Sequence, residues 1–261
     1  MRIGFRTAGF HEWPIDKALR AIGDLGYDGV EICLEHPHCR PETLTQAGAA
    51  RLATLCADAG LQVASVSYHA DSEDTELRRA NTVRALELVP AFGTDVFIIN
   101  GRRLQPGSED EARGELPALL ARLLGPAEQR GTRVAIEPEP GLSVGSSAEM
   151  KALLGSGQSP GLAVNLDVGH AFLTDPDVCE SIRMLGPAIA HTHVEGMAAG
   201  VHKHLLPGEG DLDLVAVCRT LRETGYEGYC TIDLFSIADD PASWAASALD
   251  PMRQILAQAC G

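Results

Sequence analysis

Residues 161–170 read GLAVNLDVGH, and this stretch carries the pattern that decides the fold. The apolar run from Leu162 to Leu166 is short and ends at Asp167, with His170 three residues further on. A short apolar run predicts a strand of a sheet that is covered by other elements. Ionisable residues such as Asp and His at the end of such a strand are typical of an α/β protein whose functional site lies at the strand ends.

Similar strands recur along the whole chain and alternate with helices. The strands are predicted at residues 2–6, 29–34, 62–67, 95–100, 132–137, 162–167, 188–194 and 229–235. Helical periodicity lies at residues 15–25, 44–59, 73–92, 111–130, 147–155, 176–185, 211–224 and 242–259. Eight alternating units in 261 residues predict a single (β/α)8 TIM barrel over residues 1–261, with an open doubly wound sheet as the alternative.

The composition limits the partners that this chain can have. Lys and Arg number 21 against 36 Asp and Glu, for a formal net charge of −15. Because this charge repels phosphate backbones, we expect a small-molecule substrate and no nucleic acid. No apolar run reaches the roughly 18 residues of a membrane span. Without an apolar leader the chain is predicted to be cytoplasmic and to bind no membrane, and homo-oligomerisation is left open.

Polar residues stand at nearly every predicted strand end, and in a barrel these ends face one common mouth. They are Glu31, His69, Asn100, Glu137, Asp167, His170, His191, His193 and Asp233. With no positive charge among these residues the carboxylates would repel one another, so the sequence predicts a divalent cation bound by carboxylates and imidazoles. The alternative is that each acid only caps the helix that follows it.

Four of these residues make the best ligand set, because they come from four neighbouring strands and are rich in oxygen. They are Glu137, Asp167, His193 and Asp233. This donor set suits Mn²⁺, Mg²⁺ or Co²⁺, with Zn²⁺ as a further option, and nothing in the sequence calls for an organic cofactor.

Four other residues are candidates for binding a substrate at the same mouth. Trp13 follows the first strand, and Asn100 ends the fourth. Arg102 would hold a phosphate or carboxylate, unless it is a solvated cation. Glu31 would orient a ligand or a hydroxyl group, unless it anchors the loop that follows it.

Six motifs in a fixed order extend over nearly the whole chain. They are LGYDGVEI (25–32), AIEPEP (135–140), VNLDVGHA (164–171), AHTHVEG (190–196), HLLPGEGDLDL (204–214) and GYCTIDLF (228–235). By these motifs the chain resembles the xylose isomerase-like barrel superfamily, which holds sugar phosphate isomerases and epimerases together with endonuclease IV-type enzymes. The resemblance implies metal ligands at Glu137, Asp167, His193 and Asp233, and a supporting or substrate-binding histidine at His170.

The resemblance also implies a mechanism of metal-assisted proton abstraction. Glu137 would remove a proton beside a carbonyl group, Asp233 or a water would return one, and His170 would stabilise the developing oxyanion. In the isomerases of this family the acid on the eighth strand is usually Glu. Because Asp233 reaches about one carbon less far, the resemblance implies a metal ligand at this position more directly than a proton carrier.

The loop after the seventh strand reads His202-Lys203-His204. Endonuclease IV-like members place Asp-x-His at this point, where it binds an additional zinc together with the histidine that matches His170. The resemblance therefore allows a second metal site at His170, His202 and His204, and His69 occupies a further ligand position. The alternative is that these imidazoles contact the substrate.

Three functions are compatible with these residues. The first is a divalent-metal-dependent isomerase or epimerase, or a related dehydratase, acting on a small sugar, cyclitol or other hydroxy-carbonyl compound. The second is a multinuclear phosphoester hydrolase that resembles endonuclease IV but acts on a small substrate. The third is a barrel that binds a ligand without catalysis.

Overall fold

Short apolar segments form the eight parallel strands of a closed barrel in the computed structural model, which describes residues 1–156, 159–234 and 240–260. The barrel strands are β1 (Arg2–Arg6), β2 (Gly29–Cys33), β3 (Gln62–Ser67), β4 (Val96–Asn100), β5 (Arg133–Glu137), β6 (Leu162–Asp167), β7 (Ile189–Val194) and β10 (Tyr229–Ile232). The barrel closes where β1 pairs with both β2 and β10. A hairpin of β8 (Gly196–Ala198) and β9 (Val201–Leu205) follows β7.

Nine α-helices surround the barrel in the part of the chain that the structure describes. They are α1 (Ile15–Leu25), α2 (Gln46–Asp58), α3 (Thr75–Leu88), α4 (Glu109–Gln129), α5 (Ser147–Gly155), α6 (Val168–Thr174), α7 (Val178–Leu185), α8 (Leu214–Glu223) and α9 (Pro241–Ala259). Short 3-10 turns lie at Thr7–Phe10, Val89–Phe92 and Gly186–Ala188. Within these described segments, no helix has the length and apolar character that a membrane crossing requires.

The predicted closed barrel is confirmed, and the open doubly wound sheet is wrong. Two elements were not predicted: helix α6 and the β8–β9 hairpin. Helix α6 has only seven residues, too few to show a helical period, and the hairpin segment GMAAGVHKHL has no regular apolar pattern. The eighth strand, predicted at 229–235, ends at Ile232, and its last predicted residue, Phe235, lies outside the described residues.

The alternation of side chains along each strand separates the core from the site. Ile98 and Ala135 belong to a small apolar cluster, whereas their neighbours Phe97 and Ile136 pack in the large core formed with the helices. Residues two positions apart on a strand share a face. The face that carries Ala135 therefore also carries Glu137 at the carboxyl end of β5. The same alternation directs the acidic side chains at the strand ends toward the inside of the barrel.

The start of the hairpin is packed too closely for a side chain. A Cβ at Gly196 would lie 2.3 Å from the carbonyl oxygen of Leu206 and 2.4 Å from that of Glu209. We expect Gly196→Ala to lower the free energy of unfolding by about 1–3 kcal/mol, because backbone atoms must move. The measurement is urea unfolding followed by circular dichroism.

The matched control for this substitution is Gly114→Ala in helix α4, where a Cβ would meet nothing within 4 Å. This change should raise stability by about 0.5–1 kcal/mol, because alanine loses less backbone entropy than glycine on folding. If Gly196→Ala and the wild type unfolded at the same urea concentration, this result would contradict the close packing of the hairpin.

Candidate active site

A cavity of about 750 Å³ opens at the carboxyl ends of the barrel strands. Seven of the predicted site residues line it: Trp13, His69, Glu137, His170, His202, His204 and Asp233. Asp167 and His193 are buried within the strand ends. Residues that are far apart in the sequence therefore meet at the mouth of the barrel, because each of them lies at the carboxyl end of a strand or in the loop that follows it.

The four predicted metal ligands lie together. His193 Nδ1 lies 3.3 Å from Glu137 Oε2, 3.9 Å from Asp167 Oδ2 and 3.8 Å from Asp233 Oδ2. Ligand atoms of Glu137, Asp167 and His193 all lie within 4.8 Å of one another, and those of Asp167, His204 and Asp233 form a second such group. This spacing brings three carboxylates and an imidazole around a common space.

Asp167 caps a helix and also faces this space. Its Oδ1 accepts a hydrogen bond of 2.7 Å from the backbone N–H of His170, which caps α6. Its Oδ2 is buried with no hydrogen-bond donor among the described residues, and the same holds for Asp233 Oδ1. Buried anionic oxygens without a donor are costly, and a divalent cation is a partner that would satisfy both. The residues therefore fit a metal ion, and capping and ligation are compatible in one aspartate.

Glu31 orients His193 from below. His193 Nε2 lies 2.9 Å from Glu31 Oε2, and since a carboxylate only accepts, Nε2 is the donor and Nδ1 faces the other acids. A carboxylate behind a histidine ligand commonly fixes the ring in this way. Burial acts against the charged ring, but Glu31 and Glu137 outweigh it and raise the pKa of His193 well above its usual value.

Arg6 places a buried guanidinium at the mouth, where the sequence predicted no positive charge. Its Nη1 donates to Asp233 Oδ2 at 2.9 Å, and its Nε lies 3.0 Å from Glu31 Oε1. Its Nη2 lies 2.9 Å from His69 Nδ1. The expectation was wrong because Arg6 is itself the last residue of a strand, β1. The rule that found the acids, applied to the first strand, would have found it.

Arg6 does not balance the charge of the mouth. Five acids are buried there among the described residues: Glu31, Glu137, Asp167, Glu195 and Asp233. Glu195 was missed by the sequence analysis, although it follows His193 by two residues and so continues the inward face of β7. Burial and the neighbouring Asp167 raise the pKa of Glu195 well above its usual value. This shift favours the neutral form of Glu195, but the other four carboxylates still outnumber the single charge of Arg6, and this excess favours a bound cation.

His69 lies between Arg6 and Glu137. Its Nε2 is 3.3 Å from Glu137 Oε2. Glu35, another residue that the sequence analysis missed, accepts hydrogen bonds from the backbone N–H groups of His69 and Ala70. Burial opposes a charged ring, but Glu137 outweighs it and raises the pKa of His69.

The three outer histidines also come together. The ring of His170 lies 4.8 Å from that of His202 and 5.6 Å from that of His204, measured between centroids. One ring nitrogen of each lies within 4.8 Å of the others. His204 Nδ1 donates to the backbone oxygen of Asp233 at 2.7 Å, which ties the hairpin to the end of β10. Burial and the two neighbouring imidazoles lower the pKa of His202.

Two predicted substrate-binding residues do not line the cavity. Asn100 is buried, where its Oδ1 accepts from Arg78 Nη2 at 2.7 Å. Arg102 lies 3.1 Å from Glu115 Oε2, so a helix residue already neutralises it. Neither partner can be found from the strand ends, because both come from helices.

The other two predicted substrate-binding residues lie at different depths. Trp13 lines the cavity and packs edge-on against Phe10. Glu31 is fully buried below the cavity wall. Of the four substrate-binding predictions, only Trp13 therefore stands on the cavity wall.

The burial of the His191 ring leads us to expect that the stability of the protein depends on pH. Burial lowers its pKa to about 3, whereas an unfolded histidine titrates near 6.5. Below pH 6.5 His191 binds a proton in the unfolded chain but not in the folded chain, so the free energy of unfolding falls as the pH is lowered. Between pH 7 and pH 5 this one group should cost about 2 kcal/mol.

We expect His191→Gln to remove that part of the pH dependence, as measured by chemical denaturation at several pH values. His11→Gln, a change at an exposed histidine, should keep the wild-type dependence. If the free energy of unfolding of His191→Gln depended on pH as steeply as that of the wild type, the ring of His191 would not be neutral in the folded protein.

Comparison with known proteins finds relatives that are named as an epimerase and a dehydratase. The chain is 26% identical over 274 residues to fructoselysine 3-epimerase of Escherichia coli O157:H7, and the match covers 98% of each chain. It is 25% identical over 260 residues to 3-dehydroshikimate dehydratase of Pseudomonas putida, covering 93% of this chain and 39% of that one.

Solved structures show the same fold. A D-tagatose 3-epimerase-like protein superposes with a TM-score of 0.82 at 19% identity, covering 100% of both chains. The family model for the xylose isomerase-like TIM barrel matches residues 19–255. With a closed barrel, its site at the strand ends and this match over most of its length, the chain belongs to the xylose isomerase-like TIM barrel family.

Proposed function

We propose that this protein is a divalent-metal-dependent sugar epimerase or isomerase that acts on a small hydroxy-carbonyl substrate. One observation carries the proposal: Glu137 is buried at the cavity wall, with His193, Asp167 and Asp233 converging beside it. The names of the relatives support the same class, because they include epimerases of fructoselysine and of L-ribulose 5-phosphate.

The metal would be held by Glu137, Asp167, His193 and Asp233. This set offers carboxylate oxygens and one imidazole nitrogen, which suits Mn²⁺, Mg²⁺, Co²⁺ or Zn²⁺. When bound, such a cation would polarise a carbonyl and the hydroxyl beside it, and so acidify the C–H bond between them.

Glu137 is the candidate base. Although burial favours its neutral form, His193 and His69 hold its pKa well below the usual value, so it is a carboxylate at neutral pH. Asn165 Nδ2 donates to Glu137 Oε2 at 2.8 Å and fixes one oxygen. The other oxygen, Oε1, lies 3.6 Å from His170 Nδ1. Glu137 would take the proton beside the carbonyl, with His170 placed to stabilise the developing oxyanion.

Asp233 is better suited to holding a cation than to carrying a proton. Burial favours its neutral form, but Arg6, His204 and His193 outweigh burial and lower its pKa. An acid that resists protonation is a weak proton donor. We therefore assign the return of the proton to a water, with Asp233 as a ligand.

A cavity of about 750 Å³ is within the range of about 300–1,000 Å³ that small-molecule sites occupy. A net charge of −15 is consistent with a small substrate and with no nucleic-acid partner. The cytoplasmic location stays a prediction, and homo-oligomerisation stays open.

Two related activities have specific support. A dehydratase would share the abstraction of the proton and then expel a β-hydroxyl, and the similarity to 3-dehydroshikimate dehydratase favours it. A multinuclear hydrolase is favoured by the convergence of His170, His202 and His204. Zn²⁺ anomalous scattering at these three histidines, separate from an ion at Glu137 and Asp167, would support the hydrolase.

The metal assignment predicts the result of changing Asp167 to Asn. Asparagine keeps a capping oxygen for α6 but loses the charge that a cation needs. We expect wild-type thermal stability and a loss of Mn²⁺ or Co²⁺ affinity beyond about 100-fold, measured by isothermal titration calorimetry.

The control for this change is Asp177→Asn, which alters the aspartate that caps α7 by accepting from the backbone N–H of Glu180. It should keep full metal affinity. Retention of the metal by Asp167→Asn would contradict the ligand set.

The base assignment predicts isotope exchange. In D₂O, a ketose that is turned over, tested first with D-fructose and L-ribulose, should gain deuterium beside its carbonyl. Glu137→Gln should slow this exchange by about 10²–10⁴-fold, because an amide cannot accept the proton. The measurement is proton NMR of the sugar.

The control is Glu227→Gln, a change at an exposed glutamate that should exchange at the wild-type rate. Turnover of a phosphodiester without exchange in any sugar would favour the hydrolase instead.

A further inference from the structure

We propose that Arg6 is a positioning residue that fixes the tautomer of His69, so that His69 faces the cavity as a hydrogen-bond donor and not as a metal ligand. The tautomer follows from the geometry alone. The use of this donor toward a sugar oxygen rests on the function proposed above.

The contact between the two side chains determines where the proton lies. Arg6 Nη2 is 2.9 Å from His69 Nδ1. A guanidinium has only donors, so Nδ1 must supply a lone pair and carry no proton. A neutral imidazole with an accepting Nδ1 has its proton on Nε2.

Arg6 cannot turn away from this contact without breaking two others. Its Nη1 donates to Asp233 Oδ2 at 2.9 Å, and its Nε lies 3.0 Å from Glu31 Oε1. Asp233, Glu31 and His69 all lie around one planar guanidinium, which has the fixed fork of donors that lysine lacks. The whole side chain is only 9% exposed, so water does not compete effectively for these contacts.

The backbone of His69 is held as firmly as its ring. Glu35 Oε1 accepts a 2.8 Å hydrogen bond from Ala70 N–H and a second one from His69 N–H. On the other side, Arg78 Nε donates to the carbonyl oxygen of His69 at 2.8 Å. These bonds hold the backbone of His69, and the contact of Nδ1 with Arg6 directs Nε2 of the ring toward Glu137.

The consequence is a defined chemical role for His69. Its lone pair is used by Arg6, so no lone pair remains for a cation. Its Nε2–H lies 3.3 Å from Glu137 Oε2, on the wall of the cavity. A substrate oxygen beside Glu137 would meet this N–H, which gives the site a hydrogen-bond donor next to the candidate base.

The direct test is the tautomer of His69 in the metal-free wild-type protein. Long-range ¹H–¹⁵N correlation spectra of ¹⁵N-labelled protein at pH 7.5 distinguish protons on Nδ1, on Nε2 or on both, and His69→Gln assigns the signal. We expect the proton on Nε2 alone. A proton on Nδ1, or on both nitrogens, would overturn the proposal.

The variants Arg6→Met and Arg6→Lys test whether Arg6 is the cause. Both should convert the single tautomer into a mixture or into the doubly protonated ring, because the fork of donors is gone. The exposed Arg20→Met is the control and should keep the wild-type signal. An unchanged tautomer in a folded Arg6 variant would overturn the role of Arg6. If Arg6→Met fails to fold, Arg6→Lys and the wild-type spectrum still decide the result.

Titration with Co²⁺, followed by absorbance, tests the second half of the proposal. His69→Gln should keep Co²⁺ affinity within about threefold, whereas His193→Gln should lose more than about 100-fold. An equal loss in both variants would make His69 a ligand and overturn the proposal. A wild-type protein that binds no Co²⁺ would contradict the proposed function and leave the tautomer result standing.

Discussion

The excess of buried negative charge at the barrel mouth is the constraint on which the rest of the site depends. Glu31, Glu137, Asp167, Glu195 and Asp233 are all nearly inaccessible to water. Their mutual repulsion in a medium of low polarity must be offset by protons, by cations or by donors. The protein uses these means together: the guanidinium of Arg6, the raised pKa values of His193 and Glu195, and, as we propose, a divalent metal.

The barrel makes this concentration of charge feasible because each element has a separate task. Residues of the helices and of the outward strand faces form the large apolar core, and Val96 and Ile98 help to fill the interior below the site. The mouth is then free to carry polar residues, whose supports reach in from loops and helices, as Glu35 and Arg78 do for His69. Stability and chemistry thus depend on different ends of the same strands.

The sequence predicted those parts of the site that depend on a local pattern. Glu137 and Asp167 each end an apolar run, so their convergence follows from the barrel alone. The position of Arg102 could not be predicted, because its partner Glu115 lies on a helix. Helix α6 is too short for its period to be recognised, and the tautomer of His69 depends on a single contact with Arg6. Patterns locate strand ends, but they do not reveal which side chains pair across the fold.

The contact between Arg6 and Asp233 joins the first and last strands of the barrel and spans 227 positions of the chain. The site therefore does not exist in any amino-terminal portion of the protein, however well its early units fold. During synthesis, its charges can be paired only after β10 has emerged and docked against β1. Burying Arg6 without Asp233 would leave its guanidinium with fewer acceptors, which is unfavourable. The site is therefore complete only in the closed barrel.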